Sequence, residues 1–489
     1  MVRIGKSSHA HVWASIPLES AEEPYVTRCR AHPAGRESLE RMSRLSRPSA
    51  AFVAAAELRR ARWAATLAFL TNGALFGALI PHYPEAKSAF GLGAGEFGLL
   101  VIALTLGAAL TGSMPAPILR RVGSRRVVLY GTLLLAVLVT GAGLTVDAAA
   151  AVRGDGGLPW DGFVWVFAGL LFVCGIGDAI VDTAQNAQGI RVQTVLGRPV
   201  LTSMHAGWSI GAAAGAGLGA LSVGAGLPMS VHLGLNGLAC AVILLLVHRR
   251  FLPDAPSRPD DGPAPSTGTV ASGSSSPQAA EAADRVKPST APDAAPDSAR
   301  TPTRTGAYLA LVPIVVIAMA GFSVEEFGNA WTSLFLQTER DLDAAVAGLG
   351  ASTLLLAQFL GRLTGDRVLA ALGRRTTLTV GLSCVVLGLL LVLFTAALPV
   401  VLSGLALCGL GCAVVVPTAY ALGDEVPGLP AQTGLAIVSW LMRVAGIGLS
   451  PLVGLLATGV PLTLALLVFP VLAALGVLCS LVLHRAGHR

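Results

Sequence analysis

The stretch GRLTGDRVLAALGRRTTLTVG, residues 361–381, has a counterpart about 250 residues earlier, GSMPAPILRRVGSRRVVLYG, residues 112–131. Each copy opens on a glycine and places a second glycine, Gly123 or Gly373, eleven or twelve residues on. Two arginines stand close behind it, and an apolar run follows. A repeat at this offset divides the chain into two like halves, and it constrains every finer assignment.

Apolar stretches surround both copies. Crossing about 30 Å of hydrocarbon at about 1.5 Å per residue takes about twenty residues. Such spans are expected near 63–84, 97–117, 127–147, 163–188, 200–224 and 227–247, and again near 307–336, 345–366, 377–396, 399–421, 432–457 and 461–483. Composition agrees: 53% of the 489 residues are hydrophobic and 13% charged, against about 25% charged in soluble domains. Long continuous runs exclude a β-barrel, whose strands alternate. The expected fold is all-α, with twelve transmembrane helices in two pseudo-symmetric six-helix bundles, 62–248 and 307–484. Residues 1–61 read as a disordered tail with a second candidate start at Met42, 249–306 as a Pro/Ala/Ser-rich linker, and 485–489 as a short tail.

The net charge of +6 follows topology and does not indicate a nucleic-acid partner. Arg120, Arg121, Arg125, Arg126, Arg191, Arg198, Arg367, Arg374 and Arg375 fall between alternate spans, while the other loops hold Lys87, Arg153 and Arg340. The positive-inside rule then places both termini in the cytoplasm and the chain in the cell's inner membrane. All seven cysteines but Cys29 lie in spans, so they read as packing residues, and Cys408 with Cys412 lacks the partners a metal site needs. No Walker A, GxSxG or HExxH motif occurs, so neither a cofactor nor an enzyme is expected.

The motif G-R-L-T-G-D-R-x-L-x-x-x-G-R-R, residues 361–375, resembles the cytoplasmic loop motif of the major facilitator superfamily. SMHAGWSIGAAAGAGLGA in the fifth span and VEEFGNAWTSLFL in the seventh are similar to the branch that contains the fucose permease and related sugar- or polyol-linked proteins. The resemblance implies a gate motif made of Gly361, Gly365, Asp366, Arg367, Gly373, Arg374 and Arg375, in which Asp366 pairs with arginine or a helix N-terminus to hold the cytoplasmic side shut. The first half departs from the pattern, with Ala116 and Pro117 where its aspartate would stand.

A charge in hydrocarbon costs about 2.5 to 3.5 kcal/mol or more, so charged residues at bilayer depth normally face a bundle interior or a wet cavity. In the fourth span, Asp178, Asp182, Gln185 and Asn186 share one helical stripe. In the seventh, Glu325, Asn329 and Thr332 follow helical spacing with Glu326 about 100° away, so one of the two glutamates is expected to face the cavity. Arg443 is read as the lone deep cation of the late spans, a partner for at least one carboxylate. Asp178, Asp182, Glu325 and Glu326 are the candidates for carrying a proton. Candidates for solute contact are Asn72, Gln185, Asn186, His205, Trp208, Asn329, Trp331, Gln358, Trp440 and Arg443. The glycine ridge Gly207, Gly211, Gly215, Gly219 reads as helix packing, and Asp424 with Glu425 as solvated loop charges.

Together these features describe a monomeric, proton-coupled secondary transporter of a small polar, sugar- or polyol-like solute in the bilayer, working by alternating access as a symporter. The rival readings are proton-coupled efflux of cationic or amphiphilic compounds, favoured by an acidic cavity, and a non-transporting receptor or scaffold that keeps the fold.

Overall fold

The computed structural model describes residues 55–153, 162–254 and 304–483, and all of its regular structure is helical. Among the described residues, eleven helices are long and apolar enough to cross a membrane, and a bent pair supplies a twelfth span. In chain order the spans are α1 (Ala55–Ala89), α2 (Gly95–Leu110 with Pro115–Val122), α3 (Ser124–Val152), α4 (Gly162–Leu196), α5 (Leu201–Gly224) and α6 (Met229–Arg250). The second half holds α7 (Thr305–Thr338), α8 (Val346–Leu372), α9 (Arg374–Phe394), α10 (Leu398–Asp424), α11 (Thr433–Leu456) and α12 (Leu462–Val482). An even number of crossings leaves residues 55 and 483 on one side, here termed the terminal side.

The repeat is visible in the packing. In the first half α1 packs on α5, α2 on α4, and α3 on α4 and α6; in the second, α7 packs on α11, α8 on α10, and α9 on α10 and α12. Each bundle has its own apolar core, with Phe90 edge-on to Phe167 in one and Phe327 edge-on to Phe469 in the other. The outer surface is equally apolar: Val137, Leu246 and Leu455 are about 70% exposed, as suits contact with lipid tails. Since lipid is as apolar as leucine, burial does little to hold such helices together, and close backbone packing carries more of the association. A Cβ built on Gly211 would lie 1.9 Å from the Leu70 carbonyl oxygen, and one on Gly215 2.3 Å from that of Ala74. The glycine ridge of α5 is therefore the surface on which α1 rests.

The paired glycines of the repeat turn the chain in the same way. Gly123 (φ 91°, ψ 138°) and Gly373 (φ 75°, ψ 161°) join α2 to α3 and α8 to α9 in a backbone region that side chains bar. The opening glycines differ. Gly361 lies inside α8, where a Cβ would meet that of Ala413 at 2.6 Å, whereas Gly112 has φ +60° at the break in α2. That break, followed by Pro115, bends the second span by 64°.

Two boundaries differ from the sequence expectation. Helix begins at Ala55, inside the segment read as tail. The segment read as a linker from 249 begins packed, with Phe251 and Leu252 buried and Asp254 accepting from the Ser124 amide at 2.9 Å. Cys29, Met42, most of the N-terminal tail, residues 255–303 of the linker and the whole of the tail 485–489 lie outside the described residues.

Candidate functional site

Between the bundles is a cavity of about 550 Å³ whose walls include Asp178, Asp182, Glu325, Glu326, Arg362 and Arg443. Asp178 and Asp182, one turn apart on α4, face Arg443 of α11. Its Nη1 donates to Asp178 Oδ2 and its Nη2 to Asp182 Oδ2, each at 3.0 Å. A planar guanidinium suits this task, since its two arms reach two acceptors at fixed separation. The three side chains are 17–20% exposed, so solvent in the cavity reaches them.

Each aspartate's other oxygen is held by an amide. Asn72 on α1 donates Nδ2 to Asp178 Oδ1 at 3.1 Å, and its own oxygen accepts from Trp208 Nε1 at 2.9 Å. Asn186 donates Nδ2 to Asp182 Oδ1 at 3.0 Å, and its oxygen meets His205 Nε2 at 3.0 Å. Because that oxygen can only accept, His205 carries hydrogen on Nε2, which leaves Nδ1 with a lone pair when the ring is neutral. His205 thus bonds the neighbouring helix and lines the cavity as well.

Across the cavity, α7 contributes both glutamates, where one was expected. Glu325 Oε1 accepts from Arg362 Nη2 at 2.5 Å and from Gln358 Nε2 at 2.7 Å. Glu326 accepts from Ser450, whose oxygen in turn accepts from Trp331 Nε1 at 3.1 Å. Arg362 also reaches Ser209 Oγ on α5 at 2.8 Å, tying bundle to bundle. Sequence reasoning assigned Arg443 as the lone deep cation, and the structure corrects this: Arg362 is 8% exposed and belongs to the same charge set. Its signal was its position inside the eighth span, obscured by the gate motif around it.

Several expected solute contacts stand elsewhere. Gln185 is buried and donates to the Ala68 carbonyl at 3.0 Å, which makes it a strut between α4 and α1. Asn329 is exposed and outside the cavity wall, because residues Phe327–Trp331 form a π-turn whose extra residue rotates everything beyond it. The Thr332 hydroxyl, five residues after the Phe327 carbonyl it meets at 3.0 Å, records that shift. Trp440 donates to the Ala109 carbonyl at 2.7 Å, and Trp331 to Ser450, so Trp208 is the cavity-wall indole among these three. Asn186 and Gln358 act behind the wall, on the carboxylates they bond.

The bundles are also joined on the terminal side. Val200 at the start of α5 has no side chain that could cap the helix. Asp366 of α8 does so from the other bundle, accepting from the Thr202 and Ser203 amides at 3.0 Å each. A carboxylate there also meets the positive end of the helix dipole. A Cβ on Gly365 would strike Val414 at 2.4 Å and Thr202 at 2.8 Å, so that glycine permits the approach of α5 as well as of α10. In the first half, where Ala116 and Pro117 replace the aspartate, Arg120 donates instead to the Ala431 carbonyl and Thr433 Oγ at 3.1 Å each, at the start of α11. Glu425 is exposed, as expected of a solvated loop charge, and pairs with Arg374, whereas Asp424 is half-buried at the end of α10 and accepts from the Gln432 amide at 3.0 Å. Arg375 donates to the Leu481 carbonyl at 2.6 Å, and Arg367 is exposed.

Two like bundles enclosing a charged midplane cavity, closed on one side, define a membrane transporter. Residues 64–429 match the sequence profile of the Major Facilitator Superfamily, and the chain belongs to that family. It is an MFS transporter of a small molecule; the family and fold are those of transporters, not enzymes. An MFS-type transporter of Yersinia pestis is 25% identical over 380 residues, 76% of this chain and 83% of that protein. The membrane protein MosC of Rhizobium meliloti is 31% identical over 160 residues, 32% of this chain and 39% of its own. Among solved structures, FucP in its outward conformation superposes with a TM-score of 0.62 at 16% identity, covering 86% of this chain and 97% of that one. A bacterial homologue of the iron transporter ferroportin, outward-facing, gives 0.58 at 15%, over 86% and 96%.

Proposed function

We propose that the protein is a proton-coupled symporter of a small, hydroxyl-rich organic solute, sugar- or polyol-like, working as a monomer by alternating access in the cytoplasmic membrane with both termini inside. The observation that carries this reading is the Arg443 fork: one cation of the second bundle shared by two acids of the first, in a cavity that solvent reaches. A proton on either aspartate releases one arm of the fork, so protonation changes how the bundles hold each other. The cavity volume of about 550 Å³ is in the range of small-molecule sites. Asn72, His205, Trp208 and Arg443 are the proposed solute contacts, an amide, an imidazole and a guanidinium for hydroxyls and an indole face for a sugar ring. The wall's four carboxylates against two guanidiniums favour one second reading, exchange of protons for cationic compounds.

Proteoliposomes with an imposed pH gradient separate these readings. Symport predicts that adding solute outside makes the outside more alkaline; exchange predicts proton release. Asp182→Asn should abolish gradient-driven accumulation while solute counterflow persists. Asp178→Asn should impair both, because Asp178 also orients Asn72 and through it Trp208. Transport left unchanged by both substitutions would refute proton coupling through this pair.

A further inference from the structure

A second cavity, of about 600 Å³, lies on the terminal side of the first bundle, outside the central site. Its walls bring Arg120, Arg121, Arg125, Arg126 and His248 around the turn between α2 and α3, with Asp254 as the acid among them. We infer that this pocket binds the phosphate of an anionic phospholipid and that its occupancy competes with closure of the terminal side.

Topology alone puts arginines on this side of the membrane, but it does not require four of them to face one cavity. Among the described residues, Arg121, Arg125 and Arg126 enter no ion pair. Asp254 neutralises at most one of the four, and its Oδ1 is occupied by the Ser124 amide at 2.9 Å and hydroxyl at 2.5 Å. Arg125 and Arg126 also stand in the first turn of α3, where the helix dipole disfavours cations, so an anion there relieves two repulsions together. Guanidiniums converging in this way match phosphate oxygens. The pocket's other walls favour a lipid over a free ion: Val122 and Tyr130 are 42% and 63% exposed, an apolar and an amphipathic side chain placed where acyl chains and glycerol would run.

Arg120 links the pocket to the gate. The same guanidinium donates to the Ala431 carbonyl and Thr433 Oγ at the start of α11. A phosphate that draws Arg120 into the pocket loosens that tie.

The test is native mass spectrometry of the full-length protein titrated with phosphatidylglycerol, with phosphatidylcholine as the neutral comparator and inorganic phosphate as the soluble competitor. Wild type should retain phosphatidylglycerol selectively, and millimolar phosphate should not displace it. Arg121→Gln/Arg125→Gln/Arg126→Gln, which keeps Arg120, should weaken retention on the order of a hundredfold at roughly fivefold per arginine. An unchanged melting temperature and unchanged phosphatidylcholine binding would certify its fold. In parallel, phosphatidylglycerol should speed amide hydrogen exchange over residues 433–437 in wild type and not in the variant. Equal retention by wild type and variant, or displacement by inorganic phosphate, would overturn the lipid assignment; exchange unaltered by bound lipid would overturn the link to the gate.

Discussion

Replacing Arg443 by glutamine removes the cation that two aspartates share. Breaking a buried ion pair from one side costs about 3–5 kcal/mol, because the remaining charge is left uncompensated. Here the three side chains are 17–20% exposed to cavity solvent, which screens the loss to about 2–3 kcal/mol. Asn72 and Asn186 still donate to the aspartates, so the cost is electrostatic more than a loss of hydrogen bonds. Thermal unfolding in detergent should therefore show Arg443→Gln well below wild type. The triple variant Asp178→Asn/Asp182→Asn/Arg443→Gln, neutral and similar in volume, should recover most of the lost stability while failing to accumulate solute. A single variant as stable as wild type, or a triple variant no more stable than the single one, would refute the account of Arg443 as counter-ion.

Asp366→Asn should cost about 1 kcal/mol of terminal-side closure, since an amide oxygen can accept but brings no charge to the α5 dipole; faster hydrogen exchange at residues 202–204 would report it. Gly211→Ala should prevent normal folding or lower the melting temperature sharply, because the new methyl meets the Leu70 backbone 1.9 Å away, whereas Gly217→Ala, with nothing within 4 Å, should be silent. Arg362→Lys should keep the charge beside Glu325 but lose the simultaneous reach to Ser209, so transport should fall by at least tenfold with expression unchanged. In uptake assays, activity equal to wild type would remove Arg362 from the site.

The spans and the repeat were legible because they depend on length, hydropathy and glycines whose conformations other residues resist, as at Gly123 and Gly373. What escaped depends on neighbours. Gln185 shares a helical stripe with Asp178, yet α1 closes on α4 at that level, so the same stripe meets a cavity at one height and a backbone carbonyl at another. Asn329 was misplaced by a π-turn, which no periodicity argument anticipates. Arg362 was hidden by its own context: read as part of a loop motif, it is a midplane cation one turn before Asp366. Asp366, by contrast, was placed by the motif, and the apolar Val200 at the start of α5 was the complementary sign that this helix needs a cap from elsewhere.

The contacts that join the bundles differ in kind with depth, and this bears on how alternation would proceed. Toward the terminal side, Asp366 and Arg120 each hold the start of a helix, α5 and α11, through hydrogen bonds to backbone or hydroxyl groups. Water can replace such partners once the bundles part, so these ties can open without stranding a pair of opposite charges. The midplane bridge costs more to release, because separating it leaves two acids and an arginine that the cavity solvent screens only in part. A rocking motion that pivots at this depth leaves the fork intact and re-aims it, while motion at the helix ends is large. On the proposed mechanism, protonating one aspartate leaves Arg443 held by the other, so the pivot survives the very event that is meant to bias it. Two acids sharing one cation, where a single pair would suffice to hold the bundles together, is the arrangement such a pivot requires.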